Sequence, residues 1–248
     1  MLSKYKIHSI VKQGSFGKIF IATHKRNGEL VAIKAEKREL NNSLKHEARV
    51  YYYLKNIDGV PKILWFGSDE VNSYIMLPVL GSNLNQYKQN VTMTDDIIKN
   101  ICNSVSSILK DIHTMQIVHG DIKPDNIMFD HKREKIYIID FGFSRKCTND
   151  PTSSSKSQIG TPNYMSRSCH MALEPMYLDD MESFFFVLNS LYHSYLPWSN
   201  ETKHSVFKTL KDNFITHISS CNHILSKFAS TLLDTTRGEQ INYNLFII

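Results

Sequence analysis

No apolar run in this 248-residue sequence approaches the ~20 residues that span a bilayer. The richest stretch, Ser183-Phe-Phe-Phe-Val-Leu-Asn-Ser-Leu-Tyr192, is about half that length and carries polar residues. The start, Met1–Ser9, lacks the apolar segment of a secretory signal. Cysteine is scarce: Cys102, Cys147, Cys169 and Cys221 lie 45, 22 and 52 residues apart. That excludes both a disulfide scaffold and metal-ligand spacing, so they are expected to be packed free thiols in a reducing compartment. Blocks of like charge are also missing. The 29 basic and 24 acidic residues leave a net +5 spread along the chain, far from the clustered footprint of a nucleic-acid binder. There is no internal repeat and no low-complexity tail, and almost nothing precedes the first expected strand or follows the last helix. These absences lead us to expect a soluble, monomeric, intracellular protein, cytoplasmic or nuclear, whose partners read the folded domain itself.

What is present suffices for a folded core, with 42% hydrophobic and 21% charged residues. The first third reads as strands at Tyr5–Val11, Lys18–Thr23 and Leu30–Ala35, rich in aromatic and β-branched residues. Asn27-Gly28 predicts a type I′ hairpin turn between the second and third, because both residues tolerate positive φ. A helix over Leu44–Lys55 and a strand over Ser73–Leu80 follow. Thr94 or Asp95 caps a helix whose apolar residues Ile97, Ile98, Ile101, Val105, Ile108, Leu109 and Ile112 recur in steps of three and four. Short strands at Ile127–Phe129 and Lys135–Ile139 precede a polar, flexible-looking stretch, Thr148–Ser157. A helix over Asp179–His193 is apolar on most sides and should be buried. Strands first and helices after predict an α+β chain of two lobes, joined near Leu77–Gly81.

Three motifs carry chemistry. Gly14-Ser-Phe-Gly17 sits at a strand–turn–strand junction, where glycines let backbone N–H groups approach phosphates; alone it is weak and more often an ordinary hairpin turn. Lys34, on the third strand in Val31-Ala-Ile-Lys34, is followed by Glu47 thirteen residues on in a helix. A carboxylate-held lysine could meet nucleotide phosphates, although an isolated Lys/Glu pair is usually a weak surface contact. His119-Gly-Asp-Ile-Lys-Pro-Asp-Asn126 followed fourteen residues later by Asp140-Phe-Gly142 is the specific signal. Phosphoryl transfer needs a carboxylate near the attacking hydroxyl, a cation on the γ-phosphate and oxygen ligands for Mg²⁺. Asp121, Lys123 and the pair Asn126 and Asp140 supply these in order.

With these motifs the chain resembles a eukaryotic-type Ser/Thr protein kinase, from about Tyr5 to Phe246, and within that group it is similar to casein kinase I and the vaccinia-related kinases. Gly160-Thr-Pro-Asn-Tyr-Met-Ser166, Asp179-Asp-Met-Glu-Ser183, Leu196-Pro-Trp198, Val79-Leu-Gly81 and Gly59–Trp65 resemble casein kinase I segments, whereas His119-Gly-Asp121 is closer to the vaccinia-related group. The resemblance implies a bilobal fold, with a small β-rich N-lobe and a larger helical C-lobe. One kinase domain would cover 1–248, with the N-lobe at about 1–79, the hinge at about 78–82 and the C-lobe at about 83–248.

It also implies ATP and Mg²⁺, and protein substrates bearing Ser or Thr, with no membrane or nucleic-acid partner. Asp121 would accept the substrate proton, Lys123 would neutralise the γ-phosphate and Thr161 would brace both. Gly14, Ser15, Phe16, Gly17, Ile19, Ala32, Lys34, Glu47, the gatekeeper Leu77, Pro78 and Leu80 would bind ATP. Asn126 and Asp140 would hold the metal, and Asp180 would hold the catalytic-loop backbone. Four positions depart from the pattern. Lys12 replaces the first phosphate-loop glycine. Gly120 replaces an arginine that grips a phosphorylated activation loop, so Thr148–Ser157 is not expected to act as a phosphorylation switch. Pro78 replaces a hinge acid, and Asn163 replaces an arginine that meets a priming phosphate on the substrate. Rival readings are a small-molecule kinase of the aminoglycoside or choline type and a nucleotide-binding pseudokinase. The Lys123 position and the segment running from Asp140 to Pro162 speak against the first. The retention of lysine, base and metal ligands speaks against the second.

Overall fold

Alternation of buried and cleft-facing side chains fixes how the first sheet is used. A computed structural model describes residues 2–14, 17–38, 43–148, 150–193 and 195–248. Five strands, β1 (Tyr5–Gly14), β2 (Gly17–His24), β3 (Leu30–Lys37), β4 (Trp65–Ser68) and β5 (Asn72–Pro78), form an antiparallel sheet in the order β1-β2-β3-β5-β4. In β3, Val31, Ile33 and Ala35 are buried against Tyr74 and Met76. The two-residue period then turns Ala32 and Lys34 to the opposite face. Helix α1 (Ser43–Tyr53) packs Leu44 and Ala48 on Ile75 of the sheet, one turn apart, while Val50 and Tyr51 join the core of the second lobe. One helix thus touches both lobes.

The turn between β2 and β3 is longer than a type I′ pair. Thr23 pairs with Leu30, and the His24 N–H donates to the Glu29 carbonyl at 2.8 Å. Gly28 takes φ +73°, but Asn27 does not adopt a positive φ. Its side-chain oxygen instead accepts the Glu29 N–H at 3.1 Å, the Asx bond two residues on that competes with a I′ geometry.

The chain crosses to the helical lobe after Pro78, through α2 (Leu84–Asn90), capped reciprocally by Asn83 and Gln86. Helix α3 (Asp95–Thr114) follows, capped by Thr94 as its sequence predicts. Two short antiparallel pairs carry the loops that matter. Strand β6 (Ile117–Val118) pairs with β9 (Arg145–Lys146), and β7 (Ile127–Phe129) pairs with β8 (Ile136–Ile138). Then come α4 (Arg167–His170), α5 (Tyr177–His193), α6 (His204–Ser220) and α7 (Ser226–Asp234). Every residue of α5 from Asp179 to Leu191 is buried, as its all-round apolar pattern requires, and Phe184, Phe185, Phe228 and Phe246 interlock around it. The result is the bilobal α+β arrangement that the resemblance implies. Among the described residues no helix is long and apolar enough to cross a membrane.

From Pro151 to Ser155 the polar stretch is anchored rather than free. The Ser155 N–H donates to the Ala172 carbonyl at 2.7 Å, and the Glu174 N–H to the Ser153 carbonyl at 2.8 Å. The Arg237 guanidinium donates to the carbonyls of Pro151 and Glu174. Its composition suggests mobility, but main-chain bonds to 172–174 and one arginine outweigh that tendency.

Candidate active site

Between the lobes lies a cavity of about 320 Å³, within the range of small-molecule sites. Of the residues expected at a nucleotide, Ile19, Ala32, Lys34, Glu47, Leu77, Pro78 and Leu80 line it, with both expected metal ligands, Asn126 and Asp140. Gly14 and Gly17 pair with each other at the ends of β1 and β2; Ser15 and Phe16 lie outside the described residues. At Gly17, φ is +109° and a Cβ would sit 2.1 Å from the Ala35 carbonyl oxygen, so glycine is required there for close strand approach. Another cavity, about 570 Å³, borders His113, Cys147, Tyr177 and Tyr243 and holds none of the expected site residues.

An ionic chain closes this cavity at its inner end. The Lys34 Nζ donates to Glu47 Oε2 at 2.7 Å and to Asp140 Oδ1 at 2.8 Å. Burial works against the Lys34 ammonium, but Glu47 and then Asp140 outweigh it and hold the group above the ordinary lysine range. Burial pushes the Glu47 carboxyl up to about 7 against the pull of Lys34. Burial also raises Asp140, yet Lys34 outweighs it and leaves that carboxyl below its ordinary value. Of the three, Glu47 is therefore the group that a fall in pH discharges first. Asp140 itself takes φ +67°, and its N–H donates to the Tyr51 hydroxyl at 3.0 Å, so α1 grips the segment before Phe141 as well as Lys34.

A second cluster adjoins this one. Asp121 is 4% exposed; its Oδ1 accepts from the Thr161 hydroxyl at 2.7 Å and its Oδ2 from Lys123 Nζ at 2.5 Å. Lys123 also donates to Thr161 Oγ1 at 2.9 Å. The Asn126 amide donates to the Asp121 carbonyl at 2.9 Å, which links this triangle to the cavity wall. The amide oxygen of Asn126 and the Asp140 oxygen not paired with Lys34 are hard donors, the type that suits Mg²⁺ alongside phosphate and water.

Asp180 supports the loop from below, as expected. Its Oδ2 accepts the His119 N–H at 2.7 Å and its Oδ1 the Gly120 N–H at 2.9 Å, while His113 Nε2 lies 3.0 Å from Oδ2. The His119 ring bridges onward: Nε2 donates to the Ile139 carbonyl at 3.0 Å, so Nδ1 accepts the Asp121 N–H at 3.2 Å. The ring also sits 5.0 Å from Phe141, which in turn meets Tyr51 edge-on at 5.0 Å. Gly120 has φ +80°, and a Cβ there would lie 3.1 Å from the Phe143 carbonyl oxygen.

Sequence reasoning missed the apolar lining supplied by Val11, Ile21, Met128 and Ile139 and the Tyr51 hydroxyl. Met128 and Ile139 had a signal, because they lie two residues after Asn126 and one before Asp140. Tyr51 lies four residues after Glu47, on the same helix face.

A family model for the protein kinase domain matches residues 5–240.

The geometry assigns Asp180 a cost that can be measured. Asp180→Asn would place an amide N–H where one carboxylate oxygen now accepts, leaving a buried donor unpaired. Stability should fall by about 3 kcal/mol, read as a lower urea midpoint at unchanged slope. An unchanged midpoint would show that the carboxylate is not needed to hold the loop.

Proposed function

The chain belongs to the protein kinase domain family, and on that premise we propose that it transfers the γ-phosphoryl group of ATP to serine or threonine hydroxyls of proteins. The observation that carries this reading is the adjacency of two clusters, the Lys34–Glu47–Asp140 chain and the Asp121–Lys123–Thr161 triangle, linked through Asn126. One binds charge and the other places a base.

Adenine occupies the apolar part of the cavity against Ala32, Leu77 and Ile139, with the backbone of Pro78 and Leu80 at its edge. Lys34 neutralises the α- and β-phosphates, and Glu47 keeps its ammonium pointed there. Asn126 and Asp140 would hold Mg²⁺, which when bound would offset the charge that develops on the phosphates. Asp121 orients the substrate hydroxyl and accepts its proton as the new O–P bond forms and the bond to the β-phosphate oxygen breaks, releasing ADP. Lys123 offsets the charge on the transferred group, and Thr161 fixes both side chains. Gly14 and Gly17, paired at the ends of β1 and β2, would lie over the phosphates.

Within the family we assign the chain to the casein kinase I and vaccinia-related group. Trp198 of the Leu-Pro-Trp motif donates to the Asn163 carbonyl at 2.8 Å, and Asp180 of the Asp-Asp-Met-Glu-Ser motif accepts the His119 and Gly120 N–H groups, so one motif acts on the 161–166 turn and the other on the loop before Asp121. Asn163 brings no charge for a priming phosphate. Activity should not need phosphorylation of Thr148–Ser157: Gly120 offers no side chain, Arg145 is engaged by Glu174, and Arg237 already anchors Pro151. We place the protein, as a monomer, in the cytoplasm or nucleus on the ground that its four cysteines are free thiols, two of them buried.

Two measurements test the reading. Asp121→Asn and Lys34→Met should each lower phosphorylation of a generic protein substrate at least ~100-fold with the fold intact, since one such group supplies ~3 kcal/mol or more of barrier reduction. Near-wild-type rates, with Asp140→Asn as the control for contaminating kinase, would end the assignment. Enzyme treated with phosphatase should keep its rate within about threefold, because loop phosphate would gain only weak screened contacts. Inert enzyme that recovers on loop phosphorylation would contradict that half.

A further inference from the structure

Helix α6 buries Phe207, Ile215 and Ile218 on its inner face, and the same face carries a lysine, Lys211, with no solvent exposure. Burying an ammonium is costly unless every donor is matched. Here the match is complete. The three N–H groups of Lys211 meet the Pro162 carbonyl at 2.9 Å, the Met165 carbonyl at 2.5 Å and His170 Nε2 at 3.0 Å. Three aromatic faces surround it, Phe186 at 4.6 Å, Trp198 at 5.2 Å and Phe207 at 5.3 Å from the ring centres.

The histidine settles its own protonation. To accept from Lys211 at Nε2, His170 must carry its proton on Nδ1, which lies 2.8 Å from His204 Nδ1. Burial, Lys211 and His204 push His170 down to about 3, consistent with a neutral ring. Burial likewise pushes the Lys211 ammonium down to about 7, with Glu182 opposing. A neutral amine would have only two donors for the three acceptors.

The two carbonyls matter because of where they lie. Pro162 and Met165 flank a turn in which the Thr161 carbonyl accepts the N–H groups of Tyr164 at 2.9 Å and Met165 at 2.8 Å. Trp198 Nε1 takes the Asn163 carbonyl between them. On its other side the turn begins with the Thr161 hydroxyl, bound to Asp121 and Lys123.

We infer that Lys211 is a positioning residue for protein substrate: from inside the helical lobe it suspends the 161–166 turn by its carbonyls and so sets where a substrate chain lies relative to Asp121. This rests on the protein kinase reading above. A lysine retained for packing alone could be exchanged for an apolar residue of similar length without touching substrate kinetics.

The test uses the full chain with casein as a generic acceptor. Lys211→Met should raise the KM for casein about tenfold while the KM for ATP stays within twofold. Phe207→Leu, which loosens the same aromatic cluster but leaves both carbonyl bonds, should lower Tm and leave both KM values within twofold. An unchanged casein KM in Lys211→Met, a parallel rise in the ATP KM, or the same shift in Phe207→Leu would each overturn the inference. Should Lys211→Met fail to fold, Trp198→Phe decides: loss of its N–H should raise the casein KM severalfold at constant ATP KM, and wild-type values there would overturn it. Wild-type chain that phosphorylates no protein at all would instead sink the kinase reading itself.

Discussion

Lys34 is the point at which the two lobes are made to agree. Its ammonium is shared between Glu47 on a small-lobe helix and Asp140 at the entry to the segment after β8, so the cleft has one electrostatic register. The arrangement is expensive in desolvation, since Glu47 is almost wholly buried and its carboxyl is pushed up to about 7. Two further bonds make the same seam directional. Tyr51 accepts the Asp140 N–H, and His46 Nε2 reaches the Ser144 carbonyl at 2.6 Å. Helix α1 therefore cannot rotate without disturbing the carboxylate proposed to hold the metal.

The larger lobe answers with a different kind of support. Its central helix is buried on all sides, yet it carries Asp179, Asp180 and Glu182 into the interior. Each is spoken for. Asp179 accepts from Ser166 at 2.6 Å and the Met176 N–H at 2.7 Å, Asp180 accepts the His119 and Gly120 N–H groups, and Glu182 pairs with Arg167. Burial raises Asp179 and Glu182, with Arg237 and Arg167 respectively opposing. These carboxylates turn a packing element into a template for three segments of loop. Lys211 extends the same logic from α6, holding carbonyls where Asp180 holds N–H groups.

Much of this was legible in the residues, for identifiable reasons. The first three strands show as runs of aromatic and β-branched residues, and in β3 the burial of alternate residues Val31, Ile33 and Ala35 turns Lys34 toward the cleft. The loop from His119 to Asn126 is legible because the chemistry proposed for it demands particular side chains at short spacing, and the structure brings Asp121, Lys123, Asn126 and Asp140 together. What escaped has a common physical cause, competition from tertiary or local bonds. Asn27 prefers an Asx bond to the left-handed backbone its dipeptide suggests. Thr148–Ser157 looks mobile by composition and from Pro151 to Ser155 is anchored by residues more than fifteen positions away, among them Ala172 and Arg237. Helix α2 is short and polar, so only its Asn83–Gln86 capping box announces it. Helix α6 has apolar residues at 207, 210, 214, 215 and 218, but a lysine at a core position breaks the visual stripe.

The central claim is that the Lys34 chain and the Asp121 triangle serve one phosphoryl transfer. A crystal structure with Mg²⁺ and a non-hydrolysable ATP analogue tests it most directly. The account predicts adenine between Ala32 and Ile139, α- and β-phosphate oxygens on Lys34, Asn126 and Asp140 as the protein ligands of the metal, and the γ-phosphate facing Asp121 and Lys123. A nucleotide whose triphosphate points away from Asp121, or a metal held without Asp140, would contradict it.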